Sequence, residues 1–463
     1  MNALHMLASV TAIAYLKTQA ARVGKIKSLS DDTEFRSFLQ YALDPDITYG
    51  ITEKQLPNPK HPKSWDIQAS NSLLGMFTLL DLLGGRELTG DNAKEWISNW
   101  LYTADPELRV LFRMVIARRL PGSVGVTLVN KAIPGLIYQQ PYGGCVAWDP
   151  DKAETSFPWR SGVILQPKED GLALLIDASH PASYRTRQGQ NVTAALEHHL
   201  QRFTESMPYR HVAFCELRLW THASTPYGPL VPRAEANGIF NSMFRGETDI
   251  PSSRIRLVVL DVIPAHDFYT GKSSQRYLDR YATGVQAVRN YGLTFIAPNG
   301  HADVSMVDSR LVYDLQEARR ITQQFIATGG EGSVIKHPAA GWYSGKMTHQ
   351  MKLKNEFETT LVVTAIKPHS KRPEWVGSLL MESSDGKIST WVGSGLNEAG
   401  SDLDRRKPRN FPIGSLFEVR AEKISKHNAL DLPRLVCPRF DKDYADSYQE
   451  VLDAYQASRG AAG

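Results

Sequence analysis

Apolar residues recur at three- and four-residue spacings through the first third of the chain, which predicts amphipathic helices. Ser72–Leu83, Asn92–Leu101 and Pro106–Arg119 carry this period, and Asp91 and Asp105 stand where helices begin. The apolar stretch Met6 to Leu16 is too short to span a bilayer and follows no basic segment, so it reads as the first helix of a folded domain. Around Pro134–Trp148 the texture changes to Pro, Gly and aromatic residues, as in a linker. Beyond it, short aliphatic runs at Val163–Leu165, Leu172–Ile176, Val212–Leu219 and Ile255–Val262 predict strands, with helices over Thr193–Glu205 and Asp314–Thr328. After Glu356 five strand-like runs follow: Thr359–Ile366, Trp375–Glu382, Ile388–Val392, Leu416–Ile424 and Arg434–Val436. Ser384-Asp385-Gly386 and Gly393-Ser394-Gly395 read as turns among them, which suits a small β-barrel. The expected order is an all-α domain, an α/β domain and an all-β domain.

Composition changes this picture little. A chain of 463 residues suggests about three domains, and 42% hydrophobic with 22% charged residues is the balance of an ordinary soluble globular protein. Collagen, long coiled coil and extended disorder are excluded. The formal charge is +4, from 53 Lys and Arg against 49 Asp and Glu, which permits a polyanionic partner without requiring one. Cys145, Cys215 and Cys437 are scattered, with no Cys-x-x-Cys pair, so neither a disulfide framework nor a zinc finger is indicated. The expectation is a soluble, cytoplasmic protein whose cysteines act as small hydrophobes.

The sharpest local signal is Gln166-Pro167-Lys168-Glu169-Asp170-Gly171 between two apolar strands. Lysine becomes a covalent nucleophile when neighbouring cations or burial depress its pKa. Met351-Lys352-Leu353-Lys354 puts two lysines on one face of a strand. Glu331-Gly332-Ser333-Val334-Ile335-Lys336 places a carboxylate at a turn and a lysine on the strand after it. If the three converge, the cations would lower the pKa of Lys168 and hold a phosphate, and the carboxylates would hold Mg²⁺.

These motifs in this order resemble the covalent nucleotidyltransferase superfamily, and within it the ATP-dependent DNA ligases of tailed bacteriophages. Lys168-Glu169-Asp170-Gly171 matches the nucleophile motif Lys-x-Asp-Gly, and Thr186-Arg187-Gln188-Gly189 approximates Ser-Arg-x-Gly. Phe214-Cys215-Glu216-Leu217 resembles the acidic strand motif, while Glu331 to Lys336 and Lys352 with Lys354 complete two more. Leu88–Ala93 and Val129–Ile137 are similar to parts of the helical DNA-binding domain of such ligases, and Gly393–Leu396 and Arg439–Lys442 to parts of their OB-fold domain. Two positions depart from the pattern: Ala173 stands where many relatives have arginine, and Leu260 where the residue before Asp261 is often aromatic.

The resemblance implies an all-α DNA-binding domain over 1–136, an α/β adenylation (nucleotidyltransferase) domain over 137–355 and an all-β OB-fold domain over 356–463. It implies a monomer that uses ATP and Mg²⁺ to seal nicked double-stranded DNA, with no membrane partner, in the host cytoplasm if viral. Lys168 would form the AMP-linked intermediate, with Asp170 serving the metal or the nick 3′-hydroxyl. Glu216 and Glu331 would be the metal-site carboxylates. Gln166 would read the adenine edge, Lys352 and Lys354 the AMP phosphate, and Arg187 and Lys336 its ribose-phosphate surroundings. Arg439 and Lys442 would orient pyrophosphate in the first step alone, brought by a barrel that swings about a hinge at 355–358. Arg113, Arg118, Arg119 and Lys131 are candidate phosphate contacts on the helical domain.

Other readings explain less. The run Gly329 to Gly332 lacks the Gly-Lys-Ser/Thr of a phosphate-binding loop. His198-His199 has no spaced partner and reads as packing or surface, as do Trp342 and Tyr343; Lys371-Arg372 reads as a solvated turn. An RNA ligase or a GTP-using capping enzyme would not need the long helical first domain. A NAD-dependent ligase would carry four zinc-binding cysteines, and a non-catalytic DNA clamp would not need Lys168, Glu331, Lys352 and Lys354 intact.

Overall fold

The computed structural model describes residues 1–61, 71–222, 229–293, 301–370, 372–425 and 427–460. They group into two compact units. The first comprises 1–142, 171–271 and 283–305, and the second 143–170, 272–282 and 306–463. The block 137–355 therefore contributes one five-stranded sheet to each.

In the first unit, the described residues before 138 are arranged as helices and the turns between them. Helices Ala3–Tyr15, Thr33–Leu43 and Leu73–Gly84 each begin on a polar side chain, Asn2, Asp32 and Ser72, that accepts a backbone N–H three residues on. Each cap satisfies one of the donors that a helix start leaves orphaned. Their apolar faces meet in one core that includes Met6, Phe35, Phe38, Leu80, Trp100 and Phe112. The helix predicted over Pro106–Arg119 stops at Ile116, because Arg118 adopts the left-handed conformation (φ 49°). Leu172–Asp177 pairs antiparallel with both Ser183–Thr186 and His211–Leu219, and the latter with Ile255–Pro264. Register slips beside Phe214, which lies opposite Asp261 while Cys215 lies opposite Val259, leaving Leu260 as the extra residue of a bulge. Helix Thr193–Ser206 buries Leu196, Leu200 and Phe203.

In the second unit, a five-stranded sheet runs in the order Gly143–Ala147, Gly345–Lys354, Gly332–Lys336, Val163–Pro167, Arg310–Val312. The first pair is parallel and the others antiparallel. Part of the expected linker is thus an edge strand. Gly143 is needed there, since a Cβ would lie 2.5 Å from the Trp342 Nε1. The remaining strands form a second sheet of five: Ser389–Val392, Arg372–Glu382, Phe357–His369, Leu416–Ala421 and Arg434–Pro438, in that order. Leu361, Val363, Leu379, Met381, Phe417 and Val419 alternate into its core. The run predicted as one strand over Leu416–Ile424 breaks at Glu422, whose N–H goes to the Asp431 carbonyl, after which Lys423–Ile424 pairs with Leu430–Asp431. Helix Tyr448–Gly460 buries Val451 in this core. Of the pair Lys371-Arg372, Lys371 lies outside the described residues, and Arg372 opens a strand with its guanidinium 3.9 Å above the Trp375 ring.

Candidate active site

Strand pairing alone assembles most of the motif residues in the second unit. Val334 is opposite both Gln166 and Lys352, Lys336 is opposite Ile164 and Gln350, and Gly332 is opposite Lys354. The Lys168 N–H donates to the Gly332 carbonyl. Side chains opposite one another in antiparallel strands share a face. Gln166, Lys168, Val334, Lys336, Lys352 and Lys354 therefore stand on one face of three neighbouring strands. Their alternate neighbours Leu165, Ile335, Met351 and Leu353 face the other way, into a core with Val163 and Val312. Gly332 lets the strands approach: its φ is +137°, and a Cβ would lie 2.1 Å from the Leu353 carbonyl oxygen.

Glu331 sits at the centre of the charge on this face. One oxygen accepts from Lys168 Nζ at 2.5 Å and the other from Lys354 Nζ at 2.7 Å. Lys354 also donates to Glu422 at 2.6 Å. Burial pushes the Glu331 carboxyl up, but the Lys168 and Lys354 ammoniums outweigh it and leave the group below its ordinary pKa. Burial pulls Lys354 down, and its bonds to Glu331 and Glu422 outweigh that and leave it raised. The expected cluster of cations around Lys168 is corrected here: the group against its ammonium is a carboxylate, with Lys354 on the far side. Lys352, partly exposed, shares the face without joining this chain of ion pairs.

Gln166 is buried, and its amide donates to the Tyr277 hydroxyl at 2.6 Å and the Ser309 hydroxyl at 2.7 Å. Lys336, 9% exposed, lies with its ammonium 4.2 Å above the Tyr277 ring. Asp170 is half-buried in the turn after Lys168. Trp342 is buried and the Tyr343 hydroxyl donates to the Lys346 carbonyl, in keeping with packing roles.

The first unit holds the other motif residues. Glu216 lies opposite Ala173 and accepts from the Gly171 N–H at 2.9 Å. Gly171 has no room for a side chain, since a Cβ would lie 2.5 Å from the Leu217 carbonyl oxygen. Arg187 is exposed, with its guanidinium 4.4 Å above the Tyr142 ring.

Arg439 and Lys442 are held by carboxylates close to them in the C-terminal region. Arg439 pairs with Asp441 at 2.7 Å and Glu418 at 3.2 Å, and Lys442 pairs with Asp446 at 2.6 Å. The residue after the Leu416–Ala421 strand, Glu422, does reach the Lys168 face. Sequence reasoning missed it, as it missed Tyr277 and Ser309. Glu422 lies 68 residues from Lys354 in no motif, so nothing local in the sequence marks it.

The helical-domain candidates do not behave alike. Arg113 and Lys131 are exposed, and Arg119 is exposed beside Glu53 at 3.5 Å. Arg118 is different: its guanidinium donates to the carbonyls of Asp44 and Ile47. A guanidinium that donates to two backbone carbonyls ties chain segments together, a structural role that exposed Arg118 fills in this fold.

No protein-family profile matches the chain. The DNA ligase of Enterobacteria phage T4 is 23% identical over 441 residues, covering 83% of this chain and 88% of that one. The DNA ligase of Enterobacteria phage T6 is 23% identical over 448 residues with the same coverage. Two solved structures, described as Pmar-Lig_Pre. and Pmar-Lig_PreS3, share the fold over 94% of this chain and 99% of their own, with TM-scores of 0.64 and 0.63 at 20% and 19% identity. Over most of its length, then, this chain is similar to the DNA ligases of phages T4 and T6.

Proposed function

We propose that the protein seals nicks in double-stranded DNA using ATP, through an AMP–lysine intermediate at Lys168 and then an adenylated 5′-phosphate. The observation that carries this reading is the arrangement at Glu331. Lys168 and Lys354 grip the two oxygens of one carboxylate on a sheet face that also holds Gln166, Lys336 and Lys352.

In the first step Lys168 Nζ attacks the α-phosphorus of ATP. The N–P bond forms as the bond to pyrophosphate breaks, and Lys168 must first lose a proton. Glu331 is the acceptor in contact with it. In the second step the AMP passes to the 5′-phosphate of the nick, and in the third the 3′-hydroxyl displaces it. All three are in-line displacements, in which positioning and charge neutralisation carry the rate. Lys352 and Lys354 would hold the AMP phosphate, Lys336 and Arg187 its ribose-phosphate surroundings, and Gln166 the adenine edge. Arg439 and Lys442 would leave their carboxylates to orient pyrophosphate. Arg113, Arg119 and Lys131 would contact duplex phosphates.

Glu331 and Glu216 offer hard oxygen donors, which suit Mg²⁺, and each is already aimed by a lysine or a backbone N–H. When bound, Mg²⁺ supplies charge neutralisation on the phosphate oxygens. The three-domain division at 136 and 355, a monomeric state and a cytoplasmic setting belong to the same reading. Among the described residues no helix is long and apolar enough to cross a membrane.

The test is covalent labelling. The protein is incubated with Mg²⁺ and α-labelled ATP, GTP or NAD, and then with nicked duplex DNA. Lys168-dependent label from ATP alone, followed by sealing of the nick, is the expected result. Label from GTP would point to capping chemistry, label without DNA sealing to an RNA ligase, and no label to a non-catalytic clamp.

A further inference from the structure

We propose that His198, His199 and Asp249 form a binding site for a divalent first-row transition metal of the Zn²⁺ type, in the first unit and apart from the nucleotide chemistry. Read along the chain, the histidine pair suggested only packing, because its third partner is distant in sequence. The fold supplies that partner.

Helix Thr193–Ser206 carries both histidines, whose ring centroids are 3.6 Å apart. Asp249 Oδ1 lies 3.7 Å from His199 Nε2 and 3.9 Å from His198 Nε2. Among the described residues this is the one group of three His, Cys, Asp or Glu side chains that converge closely enough to share an ion.

His199 provides the independent observation. Its side chain is 2% exposed, and its Nδ1 is hydrogen-bonded to the Ser252 hydroxyl at 2.7 Å. Its other ring nitrogen, Nε2, is buried with no hydrogen-bond partner and faces Asp249. A buried polar atom without a partner is costly, and native structures seldom leave one. In the tautomer that donates Nδ1–H to Ser252, Nε2 presents a lone pair toward Asp249, and two electron-rich atoms then face each other across 3.7 Å. A cation between them removes that conflict. The Ser252 bond is also the kind of outer contact that fixes the tautomer and orientation of a metal-binding imidazole.

The spacing is close to a loaded site. Tetrahedral zinc, with bonds of about 2.0–2.2 Å, sets ligand atoms roughly 3.3 Å apart. Closing the two histidine–aspartate gaps needs a movement of roughly half an ångström, all three ligand atoms lie within 4.8 Å of one another, and His198 and Asp249 are 58% and 81% exposed. Asp249 is already oriented, since its Oδ1 accepts from the Ile250 N–H at 2.9 Å. Two imidazoles and one carboxylate suit Zn²⁺, Co²⁺ or Ni²⁺ and not the all-oxygen shells of Mg²⁺ or Ca²⁺. Three ligands leave a fourth position for water. Bound metal would staple the helix to the segment that leads into Ile255–Pro264.

The test uses the full-length protein after chelator treatment and dialysis, titrated with Zn²⁺ against a chromophoric competitor and separately with Co²⁺. One equivalent should bind with a Kd of about 10 µM or tighter, unaffected by millimolar Mg²⁺. Cobalt should give tetrahedral visible bands without a thiolate charge-transfer band. His198→Asn and Asp249→Asn, both at exposed positions, should each weaken binding at least about tenfold and abolish the zinc-dependent rise in Tm. No binding, equal binding by both variants, or a thiolate band that places the metal on cysteine would each overturn the proposal. None of these readouts depends on nick sealing.

Discussion

Two regions of the second unit hold cations that the proposed chemistry needs, and they hold them differently. On the sheet face, Lys168 and Lys354 share Glu331 between them, and Lys354 takes Glu422 as well, all in side chains 13–24% exposed. Beside the C-terminal sheet, Arg439 pairs with Asp441, which is 67% exposed, and with half-buried Glu418, while Lys442 pairs with half-buried Asp446, and none of these three carboxylates bridges the two cations. Water screens a private surface pair, and such a pair exchanges partners at little cost. A shared, half-buried carboxylate links its two lysines, so disturbing one is felt by the other. The sheet face should behave as one coupled unit, and Arg439 and Lys442 as independent ones.

The most severe way to break the comparison is Lys168→Ala. Loss of the attacking amine should remove covalent labelling and lower sealing by at least about 10⁴-fold, measured on nicked duplex. Lys354→Ala should cost about 10²–10³-fold in labelling, because it removes a phosphate donor and leaves Glu331 and Glu422 without their shared cation. If the face is coupled, adding Glu422→Gln to Lys354→Ala should restore part of that loss, whereas independent sites would give additive effects. Arg439→Ala should lower labelling from ATP by about 10-fold while leaving the sealing of pre-adenylated nicked DNA within about 2-fold. Equal loss in both assays would end its assignment to the first step.

The smallest expected effect is on stability against pH. Glu331 has a folded pKa below its ordinary value of 4.5, so its stabilisation is complete above 4.5 and disappears as pH falls through the lowered folded value. Lys354 has a raised folded pKa, so its contribution is complete below its ordinary 10.5 and disappears as pH climbs through the higher folded value. Wild type should therefore melt roughly 1–3 °C above Glu331→Gln at neutral pH, with the gap closing below about pH 4. A gap that persists there would assign the difference to packing.

Much of this organisation is legible in the sequence because it rests on periodicity. The 3.6-residue period marks the helices of 1–137, and the alternation in Val163–Pro167 and Gly345–Lys354 sets Lys168, Lys352 and Lys354 opposite an apolar core face. The motif glycines were legible through the resemblance, and the structure gives their reason: at Gly171 and Gly332 a Cβ would strike a carbonyl oxygen. What escaped was pairing between distant segments. Gly143–Ala147 reads as a linker because its glycines hide a strand whose partner lies some two hundred residues on. Glu422, Tyr277 and Ser309 belong to no motif, and their roles arise only when strands and helices pack. The bonds of Arg118 to the carbonyls of Asp44 and Ile47 are invisible in the sequence for the same reason.

The break in the strand at Glu422 has a consequence for how a nucleotide would enter. Its carboxylate already stands against Lys354, so a phosphate arriving there replaces one negative group with another. Binding at that lysine would be ion exchange inside the protein, with the displaced counterion tethered to the chain and never released to solvent. Duplex DNA sheds many condensed cations on binding and salt reverses that release, whereas an exchange at a half-buried lysine is screened little. The AMP-forming step should therefore be far less sensitive to ionic strength than duplex binding by the same molecule.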